Sequence, residues 1–178
     1  MAGTRPVYYW DTCLFIAWLA NEQTRKAGEL EAVFDGIAKL KRREVSLMTS
    51  VLTVVEITAN KIPTGTESML VEAMQRPNFT RIAVDHRVAR LAREIRDHYL
   101  SRSQWGGKTV SVPDSIHLAT AILYRATEFH TFDGKDSKPL NALGLLQLSG
   151  DVAGHSLTIC KPPVPVQTSL RAPGFEEP

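Results

Sequence analysis

Four carboxylates stand at the ends of apolar segments, where a folded chain can bring them into one cleft. They are Asp11, Glu56, Asp114 and Asp133. Side chains at the carboxyl edge of an open α/β sheet face a common crevice. Two carboxylates about 5 Å apart repel by about 3 kcal/mol at an effective dielectric of ~20, so four of them need protons or a cation. The pattern predicts a site for a hard divalent cation and metal-dependent phosphodiester chemistry.

Each acid also has a structural explanation. Asp11 and Asp114 each precede a predicted helix and could serve as caps. Asp133 precedes a glycine and could shape a turn. Glu56 is harder to explain in this way, because it lies among valines and an isoleucine and must reach solvent or find a partner.

The elements that must position these acids alternate between short β-branched or aromatic runs and longer segments of helical period. This alternation predicts an α/β fold with parallel strands. The predicted strands are Val7–Trp10, Glu44–Met48, Thr80–Val84, Phe129–Phe132 and Leu157–Cys160. The predicted helices are Thr12–Leu19, Ala27–Leu40, Val51–Lys61, Glu67–Gln75, Arg87–Leu100 and Asp114–Arg125. Thr49 or Ser50 is expected to cap the third helix.

Composition supports one compact domain. The chain has 178 residues, of which 43% are hydrophobic and 22% charged. We assign residues 1–160 to this domain and the Pro-rich residues 161–178 to a C-terminal tail. A formal charge of +2 leaves the binding partner open.

The distribution of apolar residues and cysteines predicts a cytoplasmic protein with no membrane partner. No apolar run reaches the ~18 residues that a membrane span needs. Cys13 and Cys160 are far apart in the sequence, which indicates neither a disulfide framework nor a thiolate metal site. We expect both to be small buried residues.

Four segments of the chain resemble the PIN-domain ribonucleases, in particular the VapC-like toxins of bacterial toxin–antitoxin modules. They are VYYWDTCLFIAWL, TSVLTVVEI, VPDSIHLATAILY and HTFDGKD. The most specific is the third, a Pro-Asp that opens an Ala-rich helix, followed within about twenty residues by a Thr-x-Asp at a strand end. The resemblance covers about Val7 to Leu148. It implies a three-layer α/β/α domain with a central, mainly parallel sheet.

The resemblance also implies roles for individual residues. All four acids would be catalytic in RNA cleavage, and Asp11, Asp114 and Asp133 would bind Mg²⁺ or Mn²⁺. Thr12 and Thr131 would support the site, and the Thr12 hydroxyl could orient a metal-bound water. Asp136, on the same turn as Asp133, is the alternative fourth acid.

The partners that the resemblance implies are an RNA substrate and an antitoxin protein, and it allows a homodimer. The alternative is a non-catalytic PIN-like module that binds RNA or protein. A phosphotransferase that uses Asp11 is disfavoured, because such a site wants a second Asp where Cys13 stands.

Weaker signals concern cations, a tryptophan and two histidines. The candidate RNA contacts are Lys41, Arg42, Arg43 and Trp105. The cations also fit a helix C-terminus, and the tryptophan could instead cover a core edge. Single histidines on apolar elements are more often packing residues than functional ones, and we interpret His117 and His130 in that way.

Overall fold

The structure is a computed structural model that describes residues 5–134 and 142–165. Within these ranges the strands are β1 Val7–Trp10, β2 Ser46–Ser50, β3 Phe79–Ile82, β4 Glu128–His130 and β5 Ile159–Cys160. The α-helices are α1 Thr12–Ala20, α2 Glu29–Lys41, α3 Leu52–Glu56, α4 Glu67–Met74, α5 His86–Leu100 and α6 Val112–Leu123. Two 3₁₀ turns cover Ser103–Trp105 and Leu145–Leu148.

The five strands form one parallel sheet in the order β3-β2-β1-β4-β5. Tyr8 at the centre pairs with Leu47 of β2 on one side and with Glu128 of β4 on the other. From β1 the chain adds β2 and β3 on one side of the sheet and then β4 and β5 on the other. The loops after β1 and β4 therefore leave in opposite directions and open a crevice at the carboxyl edge. The predicted α/β class with a parallel sheet is confirmed.

Helices cover both faces of the sheet, because alternate residues of a strand point to opposite faces. Tyr9 belongs to the core beneath α5 and α6, where its ring stacks on Phe129 with 4.9 Å between centroids. Trp10 belongs to the core beneath α1, α2 and α4. A Cβ at Gly36 of α2 would lie 2.5 Å from Cζ2 of Trp10, so this close approach requires glycine. The predicted three layers are therefore present.

The third helix is much shorter than predicted. Helix α3 ends at Glu56, because Ile57 leaves the helical region with φ −82° and ψ 87°. The β-branched residues that fill this segment lose χ1 freedom in a helix, so tertiary contacts decide its length. Thr49 does not cap it, since its hydroxyl donates to the carbonyl of Trp10, whereas Ser50 Oγ accepts from the Leu52 N–H at 3.2 Å.

The start of α6 also differs from the prediction. The N-cap is Ser111, whose Oγ accepts from the backbone N–H of Asp114 at 3.2 Å. Asp114 therefore lies in the first turn rather than at the cap. The capping explanation for Asp114 is wrong, and its carboxylate serves another purpose.

The first residues of the predicted tail pack on the domain. Lys161 Nζ lies 2.6 Å from Glu29 Oε1 at the start of α2. A Cβ at Gly28 would lie 2.9 Å from Cγ1 of Val164. The boundary at residue 160 thus stays a prediction, and the residues after 165 lie outside the described part. None of the described helices is long and apolar enough to cross a membrane.

Candidate active site

A cleft of about 330 Å³ opens at the carboxyl edge of the sheet, beside β1 and β4. All four predicted acids line it: Asp11, Glu56, Asp114 and Asp133. They come from the loops and helices that follow β1, β2 and β4 and from the first turn of α6. The convergence expected from the sequence is therefore present in the structure.

Asp11 is both a helix cap and a wall of this cleft. Its Oδ1 accepts from the Thr12 N–H at 2.7 Å, and its Oδ2 accepts from Thr131 Oγ1 at 2.7 Å and Cys13 Sγ at 3.4 Å. The residue is 7% exposed. Burial with several donors holds the carboxylate in one orientation, as a ligand requires.

Asp114 faces the same cleft from the N-terminus of α6. Its Oδ2 accepts from the Ser111 hydroxyl at 2.5 Å, and the residue is 8% exposed. The partial positive charge at a helix N-terminus favours an ionised carboxylate in this first turn.

Glu56 finds its partner in His117. His117 Nε2 lies 2.8 Å from Glu56 Oε2, which also accepts from the Thr12 hydroxyl. The opposite ring nitrogen, Nδ1, lies 2.6 Å from the Tyr9 hydroxyl. Because His117 is 1% exposed, this chain of contacts runs from the cleft into the core.

The pKa shifts of both residues favour an ion pair. Burial alone would raise the pKa of Glu56, but hydrogen bonds from His117 and Thr12 outweigh it and leave that pKa below its usual value. Burial would lower the pKa of His117, but the hydrogen bond to Glu56 and the charges of Asp11, Glu56 and Asp114 raise it. Both shifts thus favour a protonated imidazole beside an ionised carboxylate.

This pair corrects the interpretation of His117 as a packing residue. The ring is buried as that interpretation expects, but it bonds to a predicted catalytic acid. A signal was present in the sequence, since His117 follows Asp114 by three positions and shares its helix face. The pair also compensates one of the four negative charges without a metal ion. The mutual repulsion of the four acids is therefore weaker evidence for a metal site.

Asp133 is held by both of its neighbouring segments. Its N–H donates to Thr131 Oγ1 at 3.0 Å, and its Oδ2 accepts from the Leu145 N–H at 3.3 Å. The same Thr131 hydroxyl donates to Asp11, so it links two of the acids. Asp136 lies outside the described residues, and the choice between it and Asp133 stays a prediction.

Two cations also line the cleft, and the sequence analysis missed both. The guanidinium carbon of Arg25 lies 4.2 Å from the ring centroid of Phe132, and its Nη2 pairs with Glu22 at 2.6 Å. Lys61 Nζ donates to the carbonyl of Glu56 at 2.9 Å. Arg25 belongs to a connecting segment without periodicity, and Lys61, expected at the end of the third helix, lies beyond it because α3 ends at Glu56.

The predicted RNA contacts lie elsewhere. The cations at the end of α2 precede β2 and so lie at the amino edge of the sheet, opposite the cleft: Lys41, Arg42 and Arg43. Arg42 Nε is paired with Glu44 Oε1 at 2.6 Å. Trp105 packs edge-on against Tyr99, with 5.5 Å between centroids, and covers a core edge. The structure therefore does not bring these four residues to the site.

The donor set of the cleft fits a hard divalent cation. Asp11, Asp114 and Asp133 offer only carboxylate oxygens, and the first two are more than nine-tenths buried. Mg²⁺ and Mn²⁺ prefer such oxygen ligands.

A parallel sheet with a carboxylate cleft at its topological switch point defines the class of this domain. Residues 8–138 match the PIN domain family, and the chain belongs to that family. No curated protein matches it significantly.

The chain is similar to several solved structures that share little sequence with it. VapBC2 from Rickettsia felis bound to a promoter DNA fragment has a TM-score of 0.53 at 14% identity, over 77% of this chain and 96% of that one. A toxin–antitoxin complex from Klebsiella pneumoniae has a TM-score of 0.47 at 20% identity, and the match covers 76% of this chain and 95% of that one. FitAcB from Neisseria gonorrhoeae has a TM-score of 0.46 at 19% identity, over 71% and 87%.

Proposed function

We propose that this PIN-domain protein is a metal-dependent endoribonuclease and the toxin of a toxin–antitoxin pair. The observation that carries the proposal is the convergence of four carboxylates on one cleft, with Asp11 and Asp114 buried and fixed by hydrogen bonds. A soluble domain has little structural use for two buried acids that face the same crevice.

The metal ligands in this proposal are Asp11, Asp114 and Asp133. When bound there, Mg²⁺ or Mn²⁺ lowers the pKa of a water and neutralises charge on the phosphate. Thr131 keeps Asp11 in place, and Ser111 does the same for Asp114.

Glu56 orients the attacking water in this proposal. Its lowered pKa makes it a weak base, so its role is to accept a hydrogen bond rather than to keep a proton. His117 and Thr12 both bond to its Oε2, so we assign the interaction with water to Oε1. His117 is a positioning residue, since it acts through Glu56.

Arg25 and Lys61 would bind the phosphates of the RNA. They line the cleft beside the four acids and are its cationic lining residues among the residues that the structure describes. Stacking on Phe132 holds the Arg25 guanidinium at the rim, where its planar fork suits a phosphate.

An antitoxin would restrain the enzyme by covering the acidic cleft with a cation. An Arg guanidinium satisfies clustered carboxylates through several charge-assisted hydrogen bonds and competes with the metal. The antitoxin is proposed because VapBC2, whose fold the chain shares, is a complex of two proteins on promoter DNA. A homodimer stays a prediction.

The direct test is cleavage of labelled RNA by the wild-type protein and by Asp114→Asn in Mn²⁺. Asp114→Asn keeps the shape of the side chain but removes a charged ligand. We expect cleavage by the wild type, loss of cleavage in chelator and loss in the variant. Cleavage that persists in Asp114→Asn would come from a contaminating nuclease and would contradict the proposal.

The toxin role has its own test in living cells. Expression of the wild-type protein alone should slow growth, and co-expression with the adjacent reading frame should restore it. Equal growth with wild type and Asp114→Asn, both without a partner, would contradict the toxin role but not the nuclease activity.

The second candidate is a non-catalytic PIN-like binding module, and one observation favours it. The Glu56–His117 pair compensates part of the acidic charge without a metal, so the acids can persist without catalysis. This candidate predicts RNA or protein binding without cleavage in Mn²⁺, and retention of that binding by Asp114→Asn.

A further inference from the structure

A second group of metal-binding side chains lies on the sheet face that carries Trp10. Glu128 and His130 alternate along β4, and Cys160 of β5 pairs in register with His130. Among the described residues, this is the group of three whose carboxylate oxygen, imidazole nitrogen and thiol sulfur all lie within 4.8 Å of one another. None of the three lines the acidic cleft.

The spacing of these atoms is close to that of a tetrahedral site. Glu128 Oε2 lies 2.8 Å from His130 Nε2 and 3.8 Å from Cys160 Sγ. In a tetrahedral zinc site with ordinary bond lengths, the ligand atoms are ~3.3–3.8 Å apart. Small side-chain rotations therefore suffice to surround an ion, because all three residues are held by neighbouring strands.

His130 supplies an independent observation. The residue is 2% exposed, and its Nδ1 has no hydrogen-bond partner among the described residues. The ring lines a cavity of about 10 Å³ together with Trp10, whose Nε1 also lacks a partner in the described part of the chain. That volume has room for about one water. When Nε2 binds a metal, Nδ1 carries the proton and needs such an acceptor.

We propose that Glu128, His130 and Cys160 bind a zinc ion that ties β5 to β4. Thiolate, imidazole and carboxylate are the ligands that zinc uses in proteins, whereas magnesium prefers oxygen ligands alone. The fourth position is left to a water. Glu128 keeps about a third of its side chain exposed, which gives the ion a path from solvent.

The protonation state of His130 favours this assignment, whereas Cys160 must lose a proton when the ion binds. Burial lowers the pKa of His130, so the imidazole is neutral and Nε2 can bind an ion once it gives its proton to Nδ1. Burial and Glu128 raise the pKa of the Cys160 thiol to about 11. Formation of the sulfur–zinc bond therefore breaks the S–H bond and releases that proton to solvent. The bound zinc, one thiolate and one carboxylate together carry no net charge.

The ion would stabilise an element that is otherwise weak. Strand β5 has two residues and forms the edge of the sheet. A bridge from Cys160 to β4 adds a link where few backbone hydrogen bonds exist. Cys160 is partly buried and not fully buried as expected, and in this proposal it is a zinc ligand.

The test is a titration of the chelator-treated full chain with Co²⁺, which replaces zinc and reports bound thiolate by a charge-transfer band. Wild type should give a saturable band at one equivalent, which Zn²⁺ then abolishes. Cys160→Ser should remove the band. Cys13→Ser is the matched control, because Cys13 is the other cysteine and lines the acidic cleft; it should keep the band.

A second variant covers the case in which Cys160→Ser does not fold. Glu128→Gln keeps the thiol and should weaken Zn²⁺ binding by ~10–100-fold in a competition titration. Absence of a saturable band in wild type would overturn the proposal. Loss of the band in Cys13→Ser with retention in Cys160→Ser would also overturn it, because the ion would then lie in the cleft.

Discussion

Two buried histidines each lie 2.8 Å from a glutamate, yet their pKa values move in opposite directions. His117 bonds to Glu56 in the cleft, and burial there is outweighed by its acidic neighbours, so its pKa is raised. His130 bonds to Glu128 on the sheet face, and there burial prevails, so its pKa is lowered.

The difference lies in the charges around each ring. Asp11 and Asp114 act on His117 in addition to Glu56, whereas Glu128 is the one acid that acts on His130. A histidine among several carboxylates is favoured as an ion-pair partner and must lose a proton before it can bind a metal. A histidine beside one carboxylate and a thiol stays neutral and can bind a metal without losing a proton.

The largest expected effect concerns Asp11, one of the acids that raise the pKa of His117. Asp11→Asn should lower RNA cleavage in Mn²⁺ by about 100-fold or more, because a ligand charge at the reacting phosphate is lost. Stability should change little, because asparagine caps a helix about as well as aspartate. Initial rates and urea denaturation measure the two. Asp97→Asn, on the exposed face of α5, is the control and should change neither.

The second prediction compares the two histidines directly. His117→Gln should lower the free energy of unfolding by about 2–3 kcal/mol, because it leaves the Glu56 carboxylate without its charged partner. His130→Gln should cost about 1 kcal/mol, the value of a neutral hydrogen bond. Urea denaturation of the metal-free proteins at neutral pH ranks them. Equal losses would mean that the two pairs carry the same charge.

The third prediction concerns Arg25, which lines the acidic cleft beside Asp11 and Glu56. Arg25→Ala should raise the KM for RNA about tenfold and change kcat little, since it removes a charge-assisted contact to phosphate. Arg90→Ala, an exposed cation of α5, is the matched control. A fall in kcat at unchanged KM would place Arg25 in the chemical step instead.

The smallest expected effect is on the pH dependence of stability, to which the two histidines should contribute slopes of opposite sign. His117 has a raised pKa, so its contribution to stability is complete below its ordinary value of 6.5 and is lost as pH rises through the raised value. His130 has a lowered pKa, so its contribution is present above 6.5 and is lost as pH falls through the lowered value.

The measurement is urea denaturation of wild type, His117→Gln and His130→Gln in chelator at several pH values. The stability advantage of wild type over His117→Gln should shrink on alkalinisation. Its advantage over His130→Gln should shrink on acidification. Slopes of the same sign would contradict the assigned charges.

Several features of this protein were predictable from sequence because they depend on local patterns. The alternation of apolar periods predicted the parallel sheet, and acids at element ends predicted which side chains meet in the cleft. The sequence predicted that Asp114 would contribute to the site. It did not predict the N-cap of α6, because Ser111 and Asp114 are both suitable residues for that position and the helix begins after Ser111. Helix α3 was overestimated, because its β-branched residues favour a helix only weakly and its tertiary bonds, from Thr53 and Glu56 to Thr12 of α1, cannot be predicted from local residues.

The sequence alone determined the order of the strands along the chain and the acids that follow them, because strand and helix periods and chain direction are written in local residue types. Only the tertiary structure decided which histidine carries charge, which cations reach the cleft and which cysteine has ligand partners. These properties depend on distances between segments up to 108 residues apart, such as Tyr9 and His117, and on the burial that packing creates. The electrostatic environment and the solvent exposure of a side chain depend on residues that are distant in sequence. Neither is therefore determined until the chain folds.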